Sequence, residues 1–266
     1  MDYVESILLG IVQGLTEFLP ISSSGHIEIF KVILGNSFDP KEGLLFIITL
    51  HFATALSTLF FFRKDIIDIF KGLLTKKWND SKRFSLTILI SMIPAVFIGL
   101  VYEDLINSLF NGNLILVGAM LYVTALLLFL SDFLKLKQNK ITYKNSFIIG
   151  IAQAIAILPG ISRSGATIAI SVIMGVDREK AARFSFIMVI PLIFGSMSKS
   201  IIDYDMTFEN YNILNLILGF SSAFITGLFA CKWMIQLVKS SKLYYFSIYC
   251  CIVGSIIIAY SFNNGL

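Results

Sequence analysis

The sequence predicts an all-α integral membrane protein, with six transmembrane helices plus two re-entrant helix–loop–helix hairpins in an inverted-topology repeat. Three observations predict it. Hydrophobic residues make up 56% of the chain and charged ones 14%, with a mean hydropathy of +0.83, which points to several membrane spans. Two apolar regions, 3–35 and 145–175, are broken in the middle by Pro, Gly and Ser. The first of these regions returns, altered, about 140 residues further on.

The chain opens on the first broken region. Asp2 and Glu5 stand where a secretory leader would carry its basic segment, so no cleavable signal peptide is expected. Pro20-Ile21-Ser22-Ser23-Ser24-Gly25 interrupts the region. The apolar pieces on either side run only about 12–18 residues, short of the roughly 20 that a crossing helix needs. Irregular backbone at membrane depth is tolerated only where protein buries it or where it lines a polar cavity. The region therefore reads as a hairpin. Spans follow at 43–62, 84–103 and 113–133. The second hairpin, 145–175, is broken by Pro159-Gly160-Ile161-Ser162-Arg163-Ser164-Gly165, and spans at 181–200, 213–238 and 242–261 complete the chain. The whole reads as one membrane domain, 1–266, with repeat 1 over about 1–135 and repeat 2 over about 141–263.

Loop charges set the orientation. The 63–83 loop carries Arg63, Lys64, Lys71, Lys76, Lys77, Lys82 and Arg83. Residues 134–144 carry Lys135, Lys137, Lys140 and Lys144, residues 176–180 carry Arg178 and Lys180, and Lys239 and Lys242 lie between the last two spans. The 104–112 loop has neither Lys nor Arg, and 201–212 is acidic, with Asp203, Asp205 and Glu209. The positive-inside rule makes the basic group cytoplasmic. A single crossing by 145–175 would put 134–144 and 176–180 on opposite faces, although both are basic. A hairpin restores the pattern. Two short full spans would restore it too, and only their lengths argue against them. Both termini then lie outside, and the first hairpin enters from outside. Each half is one hairpin and three spans, so the halves have opposite orientation. An out-of-register echo, Pro94 with Gly99 and Pro191 with Gly195, reads as helix packing.

Aligned at the repeat shift, Gly10, Gln13, Ser22, Ser24 and Gly25 match Gly150, Gln153, Ser162, Ser164 and Gly165. The copies differ where chemistry would sit: Glu17 faces Ile157, Ser23 faces Arg163, and His26 faces Ala166. One hairpin carries an acid, a nucleophile candidate and a base candidate; the other carries a guanidinium among hydroxyls. Ionisable groups inside a bilayer are costly and default to function. Helix starts near Ser24 and Ser164 would turn free N–H groups toward an anion. Arg163 adds a planar fork of donors, and Ser22, Ser24, Ser162, Ser164 and Thr167 add hydroxyls around Gly25, so the combined loops read as a phosphate cradle. Ser23 and His26 are three apart on one helical face, so His26 would take the Ser23 proton or protonate a leaving oxygen. Gln13 and Glu17 also share a face. Glu17 either orients His26 or binds a metal, and charge favours the metal: a divalent cation, Mg²⁺ or Ca²⁺, would relieve repulsion between Glu17 and phosphate.

Other polar residues read more plainly. His51 reads as an interhelical hydrogen bond, the Tyr and Trp residues near span ends as interfacial anchors, and Cys231, Cys250 and Cys251 as small packing residues. Glu28 has no assigned place. Basic residues confined to loops without interleaved aromatics exclude nucleic acid as a partner.

At Gln13-Gly-Leu-Thr-Glu17-Phe-Leu-Pro-Ile-Ser22-Ser23-Ser24-Gly25-His26 and Pro159-Gly-Ile-Ser162-Arg163-Ser164-Gly165-Ala-Thr167, the chain resembles the undecaprenyl-diphosphate phosphatase family of bacterial membranes, the bacitracin-resistance type. The resemblance covers essentially the whole chain. It implies hydrolysis of a C55 polyprenyl diphosphate lipid to the monophosphate and inorganic phosphate, recycling a carrier for wall polymers in the plasma membrane. It also implies divalent-metal dependence and an active site open to the outer face. Ser23 matches the family's proposed nucleophile, His26 its acid/base and Arg163 its phosphate-binding arginine. Where the family's acidic motif admits Glu or Gln, this chain has Gln13, so no carboxylate is obligatory there. The rival expectation is a secondary transporter or polyprenyl-phosphate flippase built on the same repeat. The asymmetry of Glu17, Ser23, His26 and Arg163 favours the enzyme. Oligomeric state is not legible.

Overall fold

The structure is a computed structural model that describes residues 2–33, 40–110, 112–133, 140–203, 212–240 and 242–264. Lys135, Lys137, Asp205 and Glu209, part of the topology argument, lie outside the described residues. Among the described residues the regular structure consists of twelve helices: α1 (Tyr3–Phe18), α2 (Ser23–Ile33), α3 (Pro40–Phe61), α4 (Arg63–Leu73), α5 (Asp80–Val101), α6 (Glu103–Leu109), α7 (Leu114–Phe133), α8 (Tyr143–Ile155), α9 (Arg163–Ile173), α10 (Arg178–Asp203), α11 (Ile213–Lys239) and α12 (Tyr244–Asn264). Six of these, α3, α5, α7, α10, α11 and α12, are long and apolar enough to cross a membrane. They lie at the expected places, so the chain is an all-helical, multi-pass membrane protein.

Their ends are set by capping chemistry that hydropathy does not report. α5 starts at Asp80, before the expected apolar run, because the Asn79 side chain accepts the Lys82 N–H at 2.9 Å. Two helices were not expected. α4 sits inside the basic 63–83 loop and α6 inside the 104–112 loop. Both are short and largely exposed, so neither leaves an apolar run long enough to stand out.

α1 begins in a capping box. Asp2 Oδ1 accepts the Glu5 N–H at 2.7 Å, and Glu5 Oε2 accepts the Asp2 N–H at 2.8 Å. It ends before Pro20, which holds Leu19 extended at ψ 141°. α8 ends before the Pro159-Gly160 turn, where Gly160 takes a φ of +99° that a side chain would resist. The two broken regions are thus helix–turn–helix pairs, α1–α2 and α8–α9, with the expected breaks.

Glycines let the short helices dock. α1 lies against α11, where a Cβ on Gly10 would sit 2.5 Å from the Gly219 carbonyl oxygen and one on Gly14 2.6 Å from that of Ala223. α8 lies against α5 in the same manner, where a Cβ on Gly150 would sit 2.4 Å from the Ser91 carbonyl oxygen. α7 and α12 meet at Gly118 and Gly254, where a Cβ on either would sit 3.0 Å from the other's carbonyl oxygen. Helices inside a bilayer gain little from hydrophobicity when they associate, so backbone approach through small residues carries the packing. The Pro94 ring contributes to the α5–α8 contact beside Gly150. The expected packing role fails at Gly99 and Gly195, which face open space.

Candidate active site

The two turns meet. Between them and α3 and α10 lies a cavity of about 250 Å³. Glu17 from the end of α1, Ser23 and Ser24 from the start of α2, and Ser162, Arg163 and Ser164 from the start of α9 line it. Apolar side chains, among them Ile48, Ile157 and Leu192, form the remaining wall. A polar floor with an apolar wall suits a ligand that is charged at one end.

Glu17 is the hub. Arg163 Nη2 donates to Glu17 Oε1. Ser23 Oγ donates to Glu17 Oε2 at 2.8 Å, and Gln13 Nε2 donates to the same oxygen at 3.1 Å. Arg163 Nη1 also reaches the Ser185 carbonyl at 3.3 Å, tying the guanidinium to α10. The carboxylate and guanidinium are both largely buried and cancel in formal charge. A diphosphate entering the cavity would therefore find no surplus positive charge between these two.

The Ser residues divide into two roles. Ser22 Oγ accepts the Gly25 N–H at 3.1 Å and Ser162 Oγ accepts the Gly165 N–H at 3.1 Å, so each caps the helix that follows. In each turn the cap hydroxyl lies 3.3 Å from the hydroxyl of the Ser two residues on, Ser24 or Ser164. Ser22 and Gly25 serve the turn and do not line the cavity. Thr167 lies one layer back, with its hydroxyl 2.7 Å from Ser185 Oγ. Gln13 stands behind Glu17, and its Oε1 is buried without a hydrogen-bond partner.

The expected Ser23–His26 pair does not form. His26 Nδ1 lies 2.7 Å from the Ser22 carbonyl oxygen, and Nε2 lies 2.8 Å from the Tyr249 hydroxyl on α12. Helical spacing places both residues on one side of α2, but Ser23 at the first position turns to Glu17. The His26 ring is drawn back over its own turn, and His26 does not line the cavity.

Two residues do more than the sequence reading gave them. His51 does make an interhelical hydrogen bond: Gln13 Nε2 donates to His51 Nδ1 at 3.0 Å. It also lines the cavity, 3.7 Å from Glu17. A lone imidazole in an apolar span was the available signal. Tyr249 gave none, because an aromatic in a terminal span reads as an anchor. Glu28, unplaced by sequence, is buried, pairs with Lys31 at 2.7 Å and accepts the Gly112 N–H at 3.2 Å.

No group of three or more His, Cys, Asp or Glu gathers among the described residues. A site caged by protein carboxylates or imidazoles is therefore not present there. What is present is one carboxylate lining the cavity, Glu17, and behind it an orphaned amide oxygen, Gln13 Oε1. Both are hard oxygen donors, and such sets suit Mg²⁺ or Ca²⁺ when a phosphate ligand completes them.

The family model described as "Bacitracin resistance protein BacA" matches residues 6–256. The chain is 57% identical over 263 residues to the undecaprenyl-diphosphatase of Christiangramia forsetii, covering 98% of this chain and 100% of that protein. It is 45% identical over 262 residues to the undecaprenyl-diphosphatase of Bacteroides thetaiotaomicron, with 97% and 98% covered. The undecaprenyl-diphosphatase of Halothermothrix orenii is 41% identical over 263 residues, with 97% and 98% covered.

Proposed function

The chain belongs to the bacitracin resistance protein BacA family, and from that premise we propose that it hydrolyses undecaprenyl diphosphate to undecaprenyl phosphate and inorganic phosphate. The product is a lipid carrier returned to cell-wall synthesis, with bacitracin resistance as a consequence. The observation that carries the reading is the Ser23 hydroxyl, donating to Glu17 at 2.8 Å in the cavity that Arg163 shares. A transporter site needs no such hydroxyl–carboxylate pair.

In the reaction, Arg163 and the N-terminal ends of α2 and α9 hold the terminal phosphoryl group. Ser23 Oγ attacks its phosphorus while the hydroxyl proton passes to Glu17 Oε2. The bond to the bridging oxygen breaks, and undecaprenyl phosphate leaves with that electron pair. Water then attacks the phosphoserine, and the Ser23 oxygen leaves and recovers its proton from Glu17. The apolar wall leaves the isoprenoid tail on the lipid side. Glu17 and Gln13 Oε1 would hold a divalent cation, Mg²⁺ or Ca²⁺. When bound, it supplies the positive charge that the Glu17–Arg163 pair lacks.

α1–α2 and α8–α9 act as re-entrant hairpins in two inverted repeats. In support, the helices run 16, 11, 13 and 11 residues, and at 1.5 Å per residue none spans a core of about 30 Å. The first helix of each hairpin packs on the second span of the other half, through Gly10 on α11 and Gly150 on α5. In this reading the protein sits in the bacterial plasma membrane with both termini and the cavity mouth on the outer face, and the loop charges support the sidedness of the termini.

The test is phosphate release by the purified full chain in detergent, from undecaprenyl diphosphate, with and without chelator. Release that falls on chelation and returns with Mg²⁺ or Ca²⁺ is expected. An active-looking preparation that releases no phosphate would overturn the reading. Full activity in chelator would remove the metal alone.

A further inference from the structure

We propose that Tyr249 and His26 are positioning residues that hold the Ser22 backbone in a left-handed turn and so aim Ser23 at Glu17; the proposal rests on the phosphatase reading. Ser22 has a φ of +72°, the one positive φ at a non-glycine among the described residues. Side chains other than glycine's resist that region, and it persists only when the surroundings over-determine it. Something must hold Ser22 there, and the contacts of its carbonyl oxygen do so.

The Ser22 carbonyl oxygen receives the His26 N–H at 3.1 Å and lies 2.7 Å from His26 Nδ1. A carbonyl only accepts, so Nδ1 carries a proton. In the neutral ring Nε2 is then an acceptor, and the Tyr249 hydroxyl, 2.8 Å away, donates to it. The two rings stack with centroids 5.7 Å apart and planes 12° from parallel. Tyr249 thereby fixes the imidazole, the imidazole fixes the Ser22 carbonyl, and the carbonyl fixes the turn that presents Ser23. Neither ring nitrogen is left to take the Ser23 proton.

The second hairpin is an internal control. Its cap is built the same way: Ser162 accepts the Gly165 N–H at 3.1 Å and its carbonyl receives the Ala166 N–H at 2.8 Å. There Ser162 has an ordinary φ of −74°, and Ala166 stands where the first hairpin has His26. The left-handed residue and the imidazole occur together in one turn and are both missing from the other.

The experiment compares the full chain with Tyr249→Phe, His26→Asn and Ser22→Gly, alone and in pairs, by steady-state phosphate release from undecaprenyl diphosphate. Melting in detergent is followed for each variant. Asn at 26 keeps a donor for the Ser22 carbonyl but has no ring for Tyr249. Tyr249→Phe and His26→Asn should each lower kcat about 5–20-fold, of the order expected for a modest misplacement of a reacting group, with KM within about twofold. Glycine accepts the left-handed conformation and caps nearly as well as Ser, so the Ser22→Gly background should restore kcat to within about twofold of Ser22→Gly alone. The kcat–pH profile of His26→Asn should keep the wild-type limbs. Loss of a limb in His26→Asn, or a Tyr249→Phe enzyme with wild-type kcat, would overturn the proposal, as would defects that Ser22→Gly fails to relieve. A wild-type protein that releases no phosphate would instead overturn the phosphatase reading on which it rests.

Discussion

The Ser23 hydroxyl donates to Glu17 Oε2 at 2.8 Å, while Arg163 holds the other oxygen of the same carboxylate. The proposed nucleophile, the group proposed to take its proton and the Arg163 guanidinium are thus one hydrogen-bonded unit, assembled from α1, α2 and α9. Groups that act as a unit fail as a unit.

Ser23→Ala and Glu17→Gln should each lower kcat by at least about 10²-fold, and the double variant should be little worse than either alone. Steady-state phosphate release checks this. Glu17→Gln should also lower the melting temperature, because it leaves Arg163 largely buried without its anion, a loss of about 3 kcal/mol or more. Ser23→Ala should melt as the wild type does. Multiplying losses in the double variant would mean the two side chains act independently.

Arg163→Lys should not be conservative. The guanidinium donates to Glu17 and to the Ser185 carbonyl at once, which one ammonium on a flexible stem does not reproduce. A fall in kcat/KM of about 10²-fold is expected. Wild-type kcat/KM in this variant would show that a point charge suffices.

Gly14→Leu should destabilise the protein by more than the usual overpacking penalty of about 1–3 kcal/mol. A Cβ alone would meet Thr226 Oγ1 at 1.9 Å and the Ala223 carbonyl at 2.6 Å, so α1 cannot stay on α11. Gly99→Ala, which meets open space, serves as the comparison and should melt no lower than wild type. Thermal unfolding in detergent reads both.

A Cys placed at Lys77, in a chain with Cys231, Cys250 and Cys251 replaced, should resist an impermeant thiol reagent in intact cells and react after permeabilisation. A Cys at Asn212 should react in intact cells. The reverse pattern would invert the topology that the loop charges support.

Much of this molecule is written locally. Six runs of apolar residues are enough to predict six spans, because a bilayer tolerates little else of that length. Pro20 ends α1 for a reason internal to the backbone, and Pro159-Gly160 keeps the second break out of helical conformation. The asymmetry of the two copies at Glu17, Ser23 and Arg163 marks where polar groups are concentrated, and these residues do line one cavity. α4 and α6 escaped notice because short exposed helices leave no hydropathy signal.

What the tertiary structure alone decided is who pairs with whom. Helical spacing puts Ser23 and His26 on one face, yet the choice of rotamer belongs to neighbours far away in sequence. Glu17 draws Ser23 forward, and the Ser22 carbonyl and Tyr249, on the last helix, draw His26 back. His51 enters the site from α3 because Gln13 meets it across a helix contact that no local pattern encodes. Sequence determined the spans, the breaks and the chemical inventory, which depend on neighbours along the chain. The pairing of the inventory depends on hydrogen bonds between helices, and those exist only once the helices are packed.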